Sequence, residues 1–263
     1  MNYIASVIAV AMTIAIPLLF IFFVFGVRKL KLFLPDILVG IIVTYFSQII
    51  LTALLINALN VFLPSAMSTA AGQQIAYVVC PTATFILGYY LVFVLGYKKQ
   101  LSEGQVSRIA VGTILTKILG DTLSAALSNM AVAQRMDAGT LDEYLAQMTS
   151  AMSGLNVDAL STAYNSYSVP QFMIPAILTL LAVQTVYLFL ILLGEHKPLW
   201  QQILLVAVYS FFYYYTFSFP TPTIVVIGAM ILLIVELYMI YVLMKAQIHR
   251  VQLEREKAGS TKK

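Results

Sequence analysis

Two charged residues interrupt an otherwise apolar part of the sequence. In GTILTKILGDTL, residues 112–123, Lys117 and Asp121 are four positions apart. Residues with this spacing are neighbours on one face of a helix, so the two side chains can form an ion pair. A third charged residue, Glu236, lies in the apolar stretch 222–245. Ionisable groups are costly inside a membrane and often mark a proton, ion or substrate site.

The composition indicates a protein that crosses a membrane several times. Of its 263 residues, 61% are hydrophobic and only 10% are charged, whereas soluble domains are about 25% charged. The sequence pI of about 9.0 is not evidence of nucleic-acid binding, because the excess Lys and Arg residues lie in short loops and in the tail. The single Cys80 cannot form an internal disulfide.

Seven apolar stretches are each long enough to cross a bilayer as a helix. They cover residues 3–27, 36–63, 74–97, 106–131, 170–193, 199–219 and 222–245. We therefore expect an all-α polytopic membrane protein. Residues 1–245 would form the seven-helix transmembrane domain, and residues 246–263 would form a basic cytoplasmic tail. The first stretch lacks a cleavage site, so we expect it to be retained.

The distribution of basic residues predicts the orientation. Lys and Arg follow the first and third stretches, His196 and Lys197 follow the fifth, and the tail is basic; the loops after the second and sixth stretches carry no charge. Basic loops stay on the cytoplasmic side. We therefore expect an N-terminus outside and a cytoplasmic C-terminus, in a plasma membrane of bacterial type. The run YSFFYYYTFSF, residues 209–219, is typical of an interfacial aromatic belt.

One longer loop, at about residues 132–169, would then lie outside the cytoplasm. Thr140 and Glu143 have the spacing of a capping box, which predicts a helix start. A second short helix is predicted from Asn156. We expect this amphipathic helical loop to lie on the membrane surface or to cover the bundle. Its apolar face would comprise Leu141, Leu145, Met148 and Met152 in the first helix, and Leu160, Tyr164 and Tyr167 in the second.

Lys117, Asp121 and Glu236 are predicted to meet near the middle of the membrane. At about 1.5 Å per residue, Lys117 lies roughly 15 Å and Glu236 roughly 13–14 Å from the inner ends of their stretches. If these helices touch, the three side chains form one polar cluster, in which one carboxyl holds a proton. Two hypotheses remain open: a polar clasp that fixes helix packing, or a site for a proton, ion or substrate.

Small residues recur every fourth position along the same helix. Gly112, Thr116, Gly120, Ser124 and Ser128 form this stripe. Small side chains allow a second helix to approach closely. Lys117 and Asp121 flank the stripe, so we expect them to face protein.

The order of the stretches resembles that of the YhfC-type intramembrane metalloproteases, distant relatives of the CAAX-processing membrane proteases. The resemblance rests on the charged end LGYKK, residues 95–99, and on AGTLDEYL, residues 138–145. It implies a glutamate pair with an arginine on the third helix and histidines on later helices. The third stretch here reads PTATFILGYYLVF, Gln184 stands at a late histidine position, and the two histidines, His196 and His249, lie in a loop and the tail.

No catalytic residue can therefore be carried over from that family. We expect a diverged, non-catalytic member, with neither a cofactor nor a bound metal, that binds a membrane-protein partner, a peptide or an apolar ligand within its bundle. One alternative is an active intramembrane protease with an atypical site. The other is a transporter or proton-coupled carrier that uses Lys117, Asp121 and Glu236. The expected surroundings are the lipid bilayer, without nucleic acid.

Overall fold

The computed structural model describes the backbone of residues 1–93, 101–151, 161–162, 164–167, 169–217 and 223–260. Side chains are described for these residues except at 70, 148–151, 215–217, 223–224, 244 and 246–260. Within this part of the chain the secondary structure is helical, without strands. The all-α prediction is confirmed there.

Eleven helices have both ends among the described residues, residues 161–162 and 164–165 are helical as well, and wider π-helical turns follow several of the helices. The helices are α1 (Asn2–Phe22), α2 (Leu34–Thr44), α3 (Thr52–Phe62), α4 (Pro64–Met67), α5 (Ala70–Tyr90), α6 (Glu103–Lys117), α7 (Leu123–Ala138), α8 (Leu141–Ala151), α9 (Val169–Gly194), α10 (Leu199–Phe217) and α11 (Thr223–Ser260). The π-helical turns are Phe23–Val27 after α1, Tyr45–Leu51 between α2 and α3, and Ile118–Thr122 between α6 and α7, and residues 91–93 after α5 are π-helical too.

Six helical segments of the described chain are long and apolar enough to cross a membrane. They are Asn2–Val27, Leu34–Phe62, Ala71–Phe93, Glu103–Ala138, Val169–Gly194 and Val225–Leu243. Each overlaps one predicted stretch, so the chain has the character of a multi-pass membrane protein. Helix α10 corresponds to the remaining stretch, but Gln201, Gln202 and several tyrosines lower its hydropathy. Helix α11 continues through the predicted boundary at 245 as far as Ser260.

Helix α9 is the centre of the bundle. It packs against α1, α6, α7, α10 and α11, and its side chains are buried almost all the way round from Phe172 to Leu193. A helix that is apolar on every side is stable only when other helices surround it. The largest core cluster forms where Val186–Leu193 meet aromatic residues of α5, including Phe85 and Tyr89.

Helices α2 and α6 cross with their backbones in contact. A Cβ added at Gly40 would lie 2.2 Å from the carbonyl oxygen of Ile109, and one at Gly112 would lie 2.0 Å from that of Ile37. The predicted close approach is therefore correct at Gly112. It is wrong further along, because Gly120 has nothing within 4 Å and Ser124 is exposed. A period of four drifts around a helix of 3.6 residues per turn, and the π-helical turn Ile118–Thr122 shifts the face again.

Charged residues are paired at the end of the bundle where α2 and α6 begin. Asp36, in the first turn of α2, is 2% exposed, and Arg108 Nε donates to its Oδ2 at 2.7 Å. Arg28 donates to Ser107 Oγ and Tyr187 OH, each at 3.0 Å, and pairs with Glu103. Asp36 is therefore a buried ion-pair partner in the first turn of α2.

The segment after α7 packs on the opposite end of the bundle. Helix α8 begins at Leu141 as predicted, and Leu141 and Leu145 are buried with Val132. The capping box is absent, because Thr140 Oγ1 has no hydrogen-bond partner among the described residues. Tyr164 packs on this cluster, and burial raises its pKa to about 12. The other residues of the predicted apolar face, Met148, Met152 and Leu160, and the predicted helix start at Asn156 lie outside the described side chains; Tyr167 packs near Phe172.

Candidate functional site

The ion pair predicted from the spacing in the sequence is present. Lys117 ends α6, Asp121 lies in the π-helical turn that follows, and Lys117 Nζ is 3.2 Å from Asp121 Oδ2. The Lys117 side chain is 9% exposed and that of Asp121 is 29% exposed. The amine is thus enclosed by protein, whereas the carboxylate faces open space beside it.

Gln48 is a second partner of the amine. It lies in the π-helical turn Tyr45–Leu51, and Lys117 Nζ donates to its Oε1 at 3.3 Å. Its Nε2 donates to the carbonyl oxygen of Pro81 at 2.9 Å, within α5. Gln48 therefore links the proline-containing turn of α5 to the charged pair. Both π-helical turns supply a polar side chain here, and such turns occur frequently at functional sites.

Two tyrosines of α10 enclose the amine from the other side. Lys117 Nζ lies 5.1 Å from the ring centroid of Tyr209 and 5.7 Å from that of Tyr213, within the range of cation–π attraction. Tyr209 is 3% exposed. The aromatic-belt interpretation of residues 209–219 is therefore wrong for Tyr209. Phe211, between the two tyrosines, points outward.

These side chains line one cavity of about 350 Å³. Its walls come from the α2–α3 segment, α5, the α6–α7 segment and α10. Tyr77 and Tyr214 stack at 5.5 Å between ring centroids on one wall. The polar residues that line the cavity include Lys117, Asp121, Gln48, Thr52 and Ser210. We call this space the polar cavity.

Glu236 does not pair with Lys117. Glu236 is fully buried, and Thr185 Oγ1 of α9 donates to its Oε1 at 2.8 Å. Among the described residues it has no ion-pair contact within 4.0 Å. The prediction that Glu236 meets Lys117 relied on their similar depth along two helices. Depth does not specify how each helix is rotated about its axis, and the rotation decides whether the two side chains face each other. Thr185, the hydrogen-bond partner of Glu236, also lines a space of about 10 Å³ that Lys117 lines.

Sequence reasoning missed three contributors to the polar cavity. Gln48 carried the clearest signal, because a carboxamide inside an apolar stretch needs hydrogen-bond partners. Tyr209 and Tyr213 have the i,i+4 spacing of one helix face. Their direction toward Lys117 depends on the rotation of α10, which the sequence pattern does not give.

Comparisons with known proteins identified no similar protein. A scan against protein-family models, a search of curated proteins and a search of solved structures each found no match. The described residues contain no group of three His, Cys, Asp or Glu side chains that could hold a metal ion. The resemblance to intramembrane metalloproteases and the expected absence of a metal both remain predictions.

Proposed function

We propose that this multi-pass membrane protein binds a small zwitterionic ligand in the polar cavity. The observation that carries the proposal is the Lys117–Asp121 ion pair, whose two members both line a space of about 350 Å³ among the helices. An ion pair that served only as a clasp could be closed off by apolar packing. Here the carboxylate faces the cavity instead.

The hydrogen-bond inventory explains why a ligand with both charges fits. A lysine ammonium has three donors, and Lys117 uses two of them for Asp121 and Gln48. The third can bind a ligand carboxylate. Asp121 can accept from a ligand ammonium, which the tyrosine rings also attract. This polar class of ligand differs from the apolar or peptide ligand expected from the sequence, which stays a prediction.

The membrane arrangement is part of the proposal. Helix α10 has 19 residues, or roughly 28 Å at 1.5 Å per residue, which is close to the thickness of a bilayer core. Counting it gives seven spans, and the basic loops then support an outside N-terminus in a bacterial plasma membrane. The backbone N–H of Tyr3 lies 3.4 Å from Asp137 Oδ2. This contact supports placing the N-terminus and the segment after α7 on the same side.

Calorimetric titration tests the proposal. Purified protein in phosphatidylcholine nanodiscs would be titrated with the twenty free amino acids, and we expect saturable binding of at least one. Asp121→Asn and Lys117→Gln should each weaken that binding about tenfold or more, because each removes a charged partner. Asp137→Asn is the matched control, since Asp137 lies outside the polar cavity. Absence of binding by every zwitterion, or equal binding by all variants, would contradict the proposal.

Two outcomes would favour the alternative functions. Uptake of the bound amino acid into proteoliposomes, driven by a pH gradient, would identify a proton-coupled carrier. Zinc retained at unit stoichiometry after purification would favour a metalloprotease instead of the non-catalytic protein that we propose.

A further inference from the structure

A second space lies between α9, α10 and α11 and differs in character from the polar cavity. It is a groove of about 530 Å³ whose walls are largely apolar, with Leu205 and Leu232 among them. On its open side are Leu204, Tyr238 and Met239, which are 56%, 66% and 38% exposed. An apolar surface of this kind faces lipid in a membrane. The groove is therefore accessible from the bilayer.

Glu236 is a fully buried polar residue that lines the groove. Its exposure is 0%, and Thr185 donates to Oε1. The other oxygen, Oε2, has no hydrogen-bond partner among the described residues. A buried carboxyl oxygen without a partner is costly, and intramembrane acidic residues of this kind generally have a functional partner.

The charges around the groove favour a cationic occupant. Lys197 is the other charged residue that lines it, and its Nζ lies 3.4 Å from Glu195 Oε2, at the start of the loop before α10. Glu236 is thus without a cation in the described part of the chain. An ammonium group would supply a positive charge and N–H donors at the same point.

We propose that the groove binds a lipophilic primary amine, with its ammonium on the Glu236 carboxyl group and its alkyl chain along Leu204, Leu205 and Met239. This site is independent of the zwitterion site, because Lys117 and Asp121 do not line the groove. The amine enters from the lipid, whereas the zwitterion enters the polar cavity.

A matched series of probes tests this assignment. Octylammonium, octan-1-ol and octanoate would be titrated into protein in phosphatidylcholine nanodiscs, with empty nanodiscs subtracted. Trp200, the chain's one tryptophan, lines the groove and reports occupancy by its fluorescence. We expect octylammonium to bind about tenfold or more tightly than octan-1-ol, because only the cation pairs with Glu236.

Variants separate recognition of charge from partitioning and from loss of fold. Glu236→Gln keeps the shape of the side chain and should reduce octylammonium affinity to that of octan-1-ol. Asp121→Asn should leave it unchanged, even if amino-acid binding is lost or was never present. A Trp200 signal that is equal for octylammonium in the Glu236→Gln variant and the parent would overturn the proposal. Preferential octanoate binding would overturn it, as would a dimer in which Trp200 is shielded and no probe binds.

Discussion

Lys117 is held by several partial interactions, not by a single counter-ion. Asp121 and Gln48 accept from its amine at 3.2 and 3.3 Å, and the rings of Tyr209 and Tyr213 face it. The four partners come from three separate segments of the bundle. Removing the amine should therefore affect both the local charge balance and the packing between these segments.

A double-mutant cycle tests the ion pair. Lys117→Met leaves Asp121 without its cation and should destabilise the protein by about 1–3 kcal/mol. Lys117→Met combined with Asp121→Leu should be milder than the sum of the single changes, because both charges are removed together. The measurement is the midpoint of thermal unfolding in detergent for the single and double variants.

Glu236 provides the control for this cycle. Glu236 and Lys117 form no ion pair in the described structure, so the coupling of Lys117→Met with Glu236→Leu should be clearly smaller than with Asp121→Leu. A larger coupling to Glu236 than to Asp121 would restore the three-member cluster predicted from the sequence and contradict the arrangement described here.

At the scale of elements, the crossing of α2 and α6 sets the position of the polar cavity. The two backbones touch at Gly40 and Gly112. The π-helical turn that carries Gln48 follows α2 directly, and the π-helical turn that carries Asp121 follows α6 directly. Any change that separates α2 from α6 should therefore also separate Gln48 from Lys117.

Glycine substitutions test this relation. Gly112→Ala would place a Cβ 2.0 Å from the backbone oxygen of Ile37, so the helices must move apart at a cost of about 1–3 kcal/mol. Gly120→Ala is the matched control, because nothing lies within 4 Å and alanine favours helix by about 0.5–1 kcal/mol. The result to measure is the unfolding midpoint. Equal losses in both variants would contradict the observed crossing.

Sequence reasoning predicted local features better than rotations between helices. The Lys117–Asp121 pair, the start of α8 and the overlap of six helices with apolar stretches follow from periodicity and spacing within one segment. The position of Glu236 and the inward direction of Tyr209 depend on how α10 and α11 are rotated against α9. Apolar patterns define that rotation weakly here, because all three helices carry apolar residues on most sides.

At the scale of the whole molecule, the proposed orientation across the membrane predicts which positions a reagent can reach from each side. Single cysteines would be placed at positions 66, 98 and 150 in a Cys80→Ala background, since Cys80 is the one native cysteine. A membrane-impermeant thiol reagent applied outside intact cells should label positions 66 and 150, whereas position 98 should react only after permeabilisation. Labelling of all three positions from one side would contradict the seven-span arrangement.

The polar cavity must be open to water if it binds a zwitterion, and this is the claim on which the proposed function depends. Ser210 lines the cavity, is 6% exposed and accepts from Thr82 Oγ1 at 3.1 Å, whereas Ser47, beside Gln48 in the chain, is 0% exposed and packs against Gly88. Both serines can be replaced by cysteine with little change in volume.

The most direct measurement is the reaction of these cysteines with trimethylammonium-ethyl methanethiosulfonate, in the Cys80→Ala background and in nanodiscs. We expect Ser210→Cys to be modified at a rate at least about tenfold above that of Ser47→Cys, because only the first thiol is next to a water-accessible space. Equal, slow reaction of both cysteines would show that water does not enter between Lys117, Asp121 and Tyr213, and would contradict the proposed binding site.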